Sequence, residues 1–196
     1  MGNTKEEILI VALHLFAKEG YEAVSVSQIA GALDMTKGAL YRHYKSKRDI
    51  FDHIVWRMEQ GDSVQAEKYG VPGNDMTNMA GEKLSLDNIV AYGKAMYRYW
   101  TEDDFASSFR KMLTLEQFRS EEMQTLYQQY LAAGPVEYVK DLFESIGLKN
   151  PEAKATMLYS TMYMYYSLYD GTQDKEKVKA QFENAMNECV KKLNDR

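Results

Sequence analysis

Between Thr36 and Arg48 the chain reads Thr-Lys-Gly-Ala-Leu-Tyr-Arg-His-Tyr-Lys-Ser-Lys-Arg, with five basic side chains, one histidine, two tyrosines and no acid. The 196-residue sequence as a whole carries a formal charge of −5. A short cationic, aromatic segment in an acidic chain points to a local partner that is an anion. The pattern suits the major groove of DNA, which is wide enough for one α-helix. Gly38 and Ala39 are small and let a helix's first turn approach base edges. Lys37 is long enough to donate to guanine O6 or N7, and Arg42 is a second candidate for reading sequence. Tyr41, His43 and Lys47 have the donors and the spacing to hold phosphates and fix register. Ser25, Thr36 and Ser46 each open a predicted helix, where free N–H groups and the helix dipole attract phosphate.

Those side chains need a scaffold, and the flanking sequence predicts one. Leu9, Ala12, Leu13, Phe16 and Ala17 recur at helical spacing, and Gly20 supplies a stop. Ser25-Val26-Ser27-Gln28 is a capping box that starts a short second helix, with Gln28 more useful as the capping partner than as a base reader. Asp34-Met35 makes a turn, and Thr36 caps a third helix that buries Leu40 and Tyr44. Ser46 with Asp49 caps a long fourth helix carrying Ile50, Phe51, Ile54, Val55 and Met58. Two short helices joined by a tight turn and braced before and after form a helix-turn-helix arrangement. A solvated helix end accounts for the charge alone, but not for three caps at this spacing.

Taken together, residues 5–51 resemble the DNA-binding domain of tetracycline-repressor-type (TetR) bacterial regulators. The resemblance is carried by Ile8, Ala12, Phe16 and Gly20-Tyr21, by Ser25-Val26-Ser27-Gln28-Ile29-Ala30, and by the run from Thr36 to Lys47. It implies that Ser25, Ser27, Thr36, Lys37, Gly38, Tyr41, His43 and Lys47 touch operator DNA, while Leu40 and Tyr44 are buried. Three positions depart from the family pattern. Asp34 stands where the turn usually has Gly; it tolerates a left-handed backbone but adds negative charge near phosphate. Ala39 lacks a frequent hydroxyl, and Tyr44 replaces a more usual Phe, so its hydroxyl needs a partner.

Charge supports the same division of labour. Residues 1–48 hold seven Lys/Arg against five Asp/Glu, net +2, and the remainder holds 17 against 24, net −7. A basic end on an acidic body suits a nucleic-acid reader fused to a second part. The expected organisation is all-α with about nine helices. Residues 1–48 form the DNA-binding domain, and 49–196 form a helical regulatory and dimerisation domain connected by helix 49–69. Residues 70–84 read as a loop. Gly134-Pro135 predicts a kink or break within a helix over 121–145, and Asn150-Pro151 predicts a helix start with Asn as cap.

The segment from Thr156 to Tyr169 is apolar or aromatic all round and must be buried on more than one face. One face fits the core and another a subunit interface. The resemblance implies a homodimer through the last two helices. Tyr92, Met96, Tyr99, Trp100, Phe109, Met112, Phe118, Tyr127, Tyr130, Met162 and Tyr166 are candidates to line a cavity for a small apolar or aromatic effector. Spacing alone does not separate these from ordinary core.

Other functions find little support. Cys189 is the only cysteine, so no internal disulfide forms. No apolar run near the N-terminus is long enough for a signal or a membrane span, and a soluble cytoplasmic protein is expected. His14, His43 and His53 form no i, i+4 pair, so neither a metal nor another cofactor is expected. His14 reads as core or boundary packing, and His53 as surface. Nucleophile elbow, P-loop and dinucleotide fingerprint are all lacking, which argues against an enzyme. The expected function is a transcription regulator, a ligand-responsive repressor that binds a palindromic double-stranded DNA operator as a homodimer. The rivals are a regulator controlled by a protein partner and, further off, a helical enzyme or interaction module without a DNA role.

Overall fold

The computed structural model describes residues 4–72 and 84–194, and among these it contains ten α-helices and no strand. In order they are α1 (Thr4–Glu19), α2 (Val26–Ala32), α3 (Lys37–Tyr41), α4 (Lys47–Lys68), α5 (Leu86–Glu102), α6 (Asp104–Glu116), α7 (Glu121–Leu131), α8 (Ala133–Ser145), α9 (Pro151–Asp170) and α10 (Lys175–Asn194). The expected loop over 70–84 lies mostly outside the described residues. Packing divides the chain into two compact units, one of residues 1–61 with 104–127 and the other of 62–103 with 128–196. Both are discontinuous in sequence, so they partition the chain differently from the contiguous 1–48 and 49–196, with boundaries inside α4, between α5 and α6, and inside α7.

In the first unit, α1 buries Ile8, Leu9, Ala12, Leu13 and Phe16 and packs on α6, which buries Phe105, Phe109, Met112 and Leu113. Ile29, Leu40, Ile50, Phe51, Ile54 and Met58 complete this core. Each such side chain contributes about 1.5–3 kcal/mol relative to leaving it in water. α1 ends as expected at Gly20, whose φ is +91° and where a Cβ would lie 2.5 Å from Glu116 Oε1. Both facts require glycine. Gly20→Ala should therefore destabilise the protein by about 2 kcal/mol, a fall of roughly 4–8 °C in Tm for a chain of this size. An unchanged thermal melt would refute that account.

In the second unit, α9 packs against α8, α10 and α5. It buries Ala155, Leu158, Tyr159, Met162 and Tyr166, and α10 buries Val178, Phe182, Met186, Cys189 and Leu193. Tyr97 of α5 stacks on Phe182 with ring centres 3.6 Å apart. Lys94 and Arg98 on α5 both pair with Glu183 on α10, at 2.7 and 2.9 Å. The outward side of α9 exposes Tyr163, Met164 and Leu168.

The segment 121–145 is two helices, which is why ten are found rather than nine. Ala132 breaks the helical path (φ −134°, ψ −98°). Continuing the helix would set the Pro135 ring against a carbonyl one turn back. Gly134 is needed at the resulting corner, since a Cβ there would come 2.1 Å from the Gln129 carbonyl oxygen. The start of α9 differs in detail from expectation. Pro151 is its first residue, but Asn150 adopts the left-handed conformation (φ 54°) and its side chain makes no capping hydrogen bond. His14 also differs from expectation: its Nε2 lies 2.7 Å from Asp104 Oδ2 in an exposed pair.

Candidate nucleic-acid interface and cavity

All three predicted caps that frame the basic segment are present. Ser25 and Gln28 form a complete capping box on α2, with Gln28 Oε1 accepting from both the Ser25 N–H (2.7 Å) and its hydroxyl (2.8 Å). Thr36 Oγ1 accepts from the Ala39 N–H at 3.1 Å, and Ser46 Oγ from the Asp49 N–H at 3.0 Å. The turn between α2 and α3 passes through Asp34 at φ 52°. A short Asx side chain tolerates this left-handed geometry where most residues do not.

The helix α3 is only one and a half turns long, and Leu40 anchors it with no exposed surface. Ser25, Ser27, Thr36, Lys37, Gly38, Tyr41 and Arg42 are exposed, while Ala39, His43 and Lys47 are half-buried. The Lys37 ammonium lies 5.8 Å from the centre of the Tyr41 ring, so these two side chains share one edge of α3. Tyr44 is buried, and its hydroxyl donates to the Lys5 carbonyl at 3.2 Å. Burial, then the Glu6 and Asp49 charges, raise its phenol above the ordinary value, so it stays a donor. Tyr44→Phe should lose about 1 kcal/mol, seen as a drop of roughly 2–4 °C in Tm. A variant melting at or above the parent would mean that this hydrogen bond contributes nothing.

Two cations of the segment are engaged inside the fold. Lys47 Nζ donates to the Tyr21 carbonyl at 2.8 Å and lies 4.3 Å from the centre of the Tyr21 ring. Arg48 pairs with Asp52 and with Glu122, both at 2.7 Å. Lys37, Arg42 and Lys45 are the cations of this segment without an ion pair among the described residues.

The second unit encloses a cavity of about 420 Å³, within the range of small-molecule sites. Six of the eleven aromatic and Met candidates line it: Tyr92, Met96, Trp100, Tyr130, Met162 and Tyr166. Tyr99 belongs to the same unit but stands outside the lining. Phe109, Met112, Phe118 and Tyr127 belong to the first unit, where Phe109 and Met112 are core and Phe118 is 88% exposed. The lining also contains residues that spacing did not single out, above all Asp62, Glu137, Tyr138 and Asp141. Asp62 lies far along α4, and only the convergence of α4, α5, α7, α8 and α9 reveals it as a wall. Tyr138 had a usable signal as an aromatic on an amphipathic helix, but so had many others.

Within the cavity, Tyr92 and Tyr138 meet edge to face with ring centres 6.1 Å apart. The Tyr138 hydroxyl donates to the Pro72 carbonyl. Burial, then Tyr138 and the Asp62 carboxylate, hold the Tyr92 phenol far above its ordinary value. Burial pushes Tyr138 up to about 12. Both phenols are therefore neutral hydrogen-bonding groups at any physiological pH. No cluster of His, Cys, Asp and Glu suited to a metal occurs among the described residues, and none of their helices is long and apolar enough to cross a membrane.

Residues 8–54 match the model of the family described as bacterial regulatory proteins, tetR family. The HTH-type transcriptional regulator AcrR of Shigella flexneri is 39% identical over 64 residues, which span 33% of this chain and 29% of that protein. The chain thus matches less than a third of that relative's length. The fold is similar to the solved SmeT–triclosan complex, with a TM-score of 0.72 and 16% identity over 97% of this chain and 91% of that one. It is also similar to a transcriptional regulator from Aquifex aeolicus VF5, with a TM-score of 0.69 and 19% identity over 94% and 98%. Those structural likenesses speak for the fold, and the matched segment is the one that holds the capped α2–turn–α3. What the family model matches is the segment 8–54, which is thus similar to the TetR family of bacterial regulatory proteins.

Proposed function

We propose that the protein is a cytoplasmic transcriptional regulator, a ligand-responsive repressor that binds a palindromic operator as a homodimer and carries out no catalysis. The observation that carries this reading is the exposed edge of α3. Lys37, Tyr41 and Arg42 project from a short helix whose N-terminus is capped by Thr36 and whose other side is locked by Leu40. Lys37 reads base edges beside Gly38 and Ala39, with Arg42 in support. Ser25, Ser27, Thr36, Tyr41 and His43 hold backbone phosphates. Lys47 serves the same interface chiefly by fixing the Tyr21 carbonyl and so the approach to α2.

One α3 offers few reading side chains, so two copies are needed, in major grooves about 34–36 Å apart or a multiple of that. The apolar outer face of α9, with α10 beside it, is the surface that joins them. The cavity of the second unit takes a small effector, and the bound form holds the two heads at a spacing that no longer fits both half-sites together. In this division of labour residues 1–48 read DNA and residues 49–196 sense and dimerise.

Selection of bound duplexes from a random pool, followed by titration at two salt concentrations, tests the DNA half. A palindromic consensus and a log–log salt slope of several units are expected. Binding without sequence preference, or none at all, would overturn it.

A further inference from the structure

We infer that Arg48 is a further phosphate-binding residue of the reading head, withheld from DNA by Glu122, whose carboxylate fills the guanidinium edge that a phosphate would take. This rests on the reading of α3 as the helix that reads DNA. Arg48 stands in the first turn of α4, next to Lys47 and two residues from the Ser46 cap. All three of its guanidinium nitrogens are engaged. Nε donates to Asp52 Oδ1 at 2.7 Å, one turn along the same helix. Nη1 and Nη2 face the two oxygens of Glu122 at 2.8 and 2.7 Å. That is the two-bond fork with which a guanidinium grips a carboxylate or a phosphate alike. Asp52 aims the fork, and Glu122 fills it.

Neither charge balance nor stability calls for the second carboxylate. One acid neutralises one guanidinium, and Asp52 already does so from the i+4 position. With Glu122 added, one cation faces two carboxylates and the trio stands at −1. The side chains of Arg48, Asp52 and Glu122 are 55%, 53% and 46% exposed, and ion pairs as open as these stabilise a fold only slightly. Glu122 belongs to the first turn of α7, 74 residues away in sequence, yet it packs in the same unit as the head. An incoming phosphate would have to expel Glu122 and then lie beside two bare carboxylates, so the fork stays filled in the unaltered protein. A contact that carries no sequence information is thereby held back, and binding leans on the base contacts of α3 instead.

The test uses the full-length protein with Glu122→Gln, Arg48→Gln and the double variant. Each is titrated at several salt concentrations against the selected operator and against random-sequence duplex. Glu122→Gln should bind both duplexes about tenfold tighter at low salt, the scale of one charge-assisted contact. Its log–log salt slope should steepen by about one unit per head, with the preferred sequence unchanged. In the Arg48→Gln background the same substitution should leave the slope where it was, because no fork is released. All three side chains are about half exposed, so thermal melts should stay near that of the parent. If Glu122→Gln folds poorly, Glu122→Ala answers the same question by emptying the fork outright. Unchanged or weaker binding by the Glu122 variants would make the pair a mere brace between α4 and α7. An equal gain without Arg48 would mean that Glu122 acts by its own charge alone. Either result overturns the inference and leaves α3 as the reading helix; an unaltered protein that binds no duplex overturns both.

Discussion

Lys37→Ala should weaken operator binding by about 1–3 kcal/mol per half-site, the value of one good side-chain-to-base contact, and should relax selectivity at a single base pair in each half. The reasoning starts from what is left over once the fold has taken its share of the basic segment. Arg48 is held by Asp52 and Glu122, and Lys47 by the Tyr21 carbonyl. Leu40 and Tyr44 belong to the core. Lys37 is exposed at the first turn of α3, beside Gly38, where nothing but hydrogen blocks approach to the groove. Because it contributes nothing to the core, the substitution should leave the thermal melt in place. Tyr41→Phe makes the contrast. Its loss should be similar across all sequences, because a phosphate contact positions the helix without reading a base. If both variants keep the parental affinity and salt slope, α3 is not the reading helix.

Met164→Arg should leave the proposed dimer monomeric and lower operator affinity by about 10²- to 10⁴-fold, the range over which linked binding of two heads exceeds binding of one. Helix α9 buries one face in its own unit through Leu158, Met162 and Tyr166. The opposite face exposes Tyr163 at 44%, Met164 at 57% and Leu168 at 40%. An apolar helix face of this kind is poorly suited to water and well suited to meeting its own copy across a two-fold axis. A guanidinium placed there without a partner would be desolvated on association at a cost of several kcal/mol. The folded subunit should tolerate it, since the side chain points away from its own core. Sedimentation equilibrium and operator titration on the same sample read both effects. A variant that stays dimeric with full affinity would show that association does not use this face of α9.

The two losses are separable in one experiment. Lys37→Ala keeps a dimer that binds weakly and less selectively. Met164→Arg keeps a competent reading head that cannot engage two half-sites together. A nonspecific loss of folding would lower the melting temperature in both.

Much of this protein was settled by local physics, and that part is legible in the chain. The caps at Ser25, Thr36 and Ser46 join groups three residues apart, so side-chain chemistry and spacing decide them without help from the rest of the molecule. The stop at Gly20 and the left-handed turn at Asp34 are likewise demands of single residues on their own backbone. Gly134-Pro135 had to interrupt its helix, and helical periodicity was enough to name Leu40 and Tyr44 as buried. The family resemblance drew on the same short-range features.

What periodicity cannot do is say which neighbour a helix face will meet. Phe109 and Tyr92 look alike as aromatics on amphipathic helices, yet one is core of the first unit and the other lines a cavity in the second. Charge on paper is also not charge available: Lys47 and Arg48 belong to the basic run but are engaged by groups 26 and 74 residues away. Asp62, far along a long helix, carries no sequence signal at all. Its place in the cavity wall exists only because five helices converge there, and no pattern of spacing along α4 encodes that convergence.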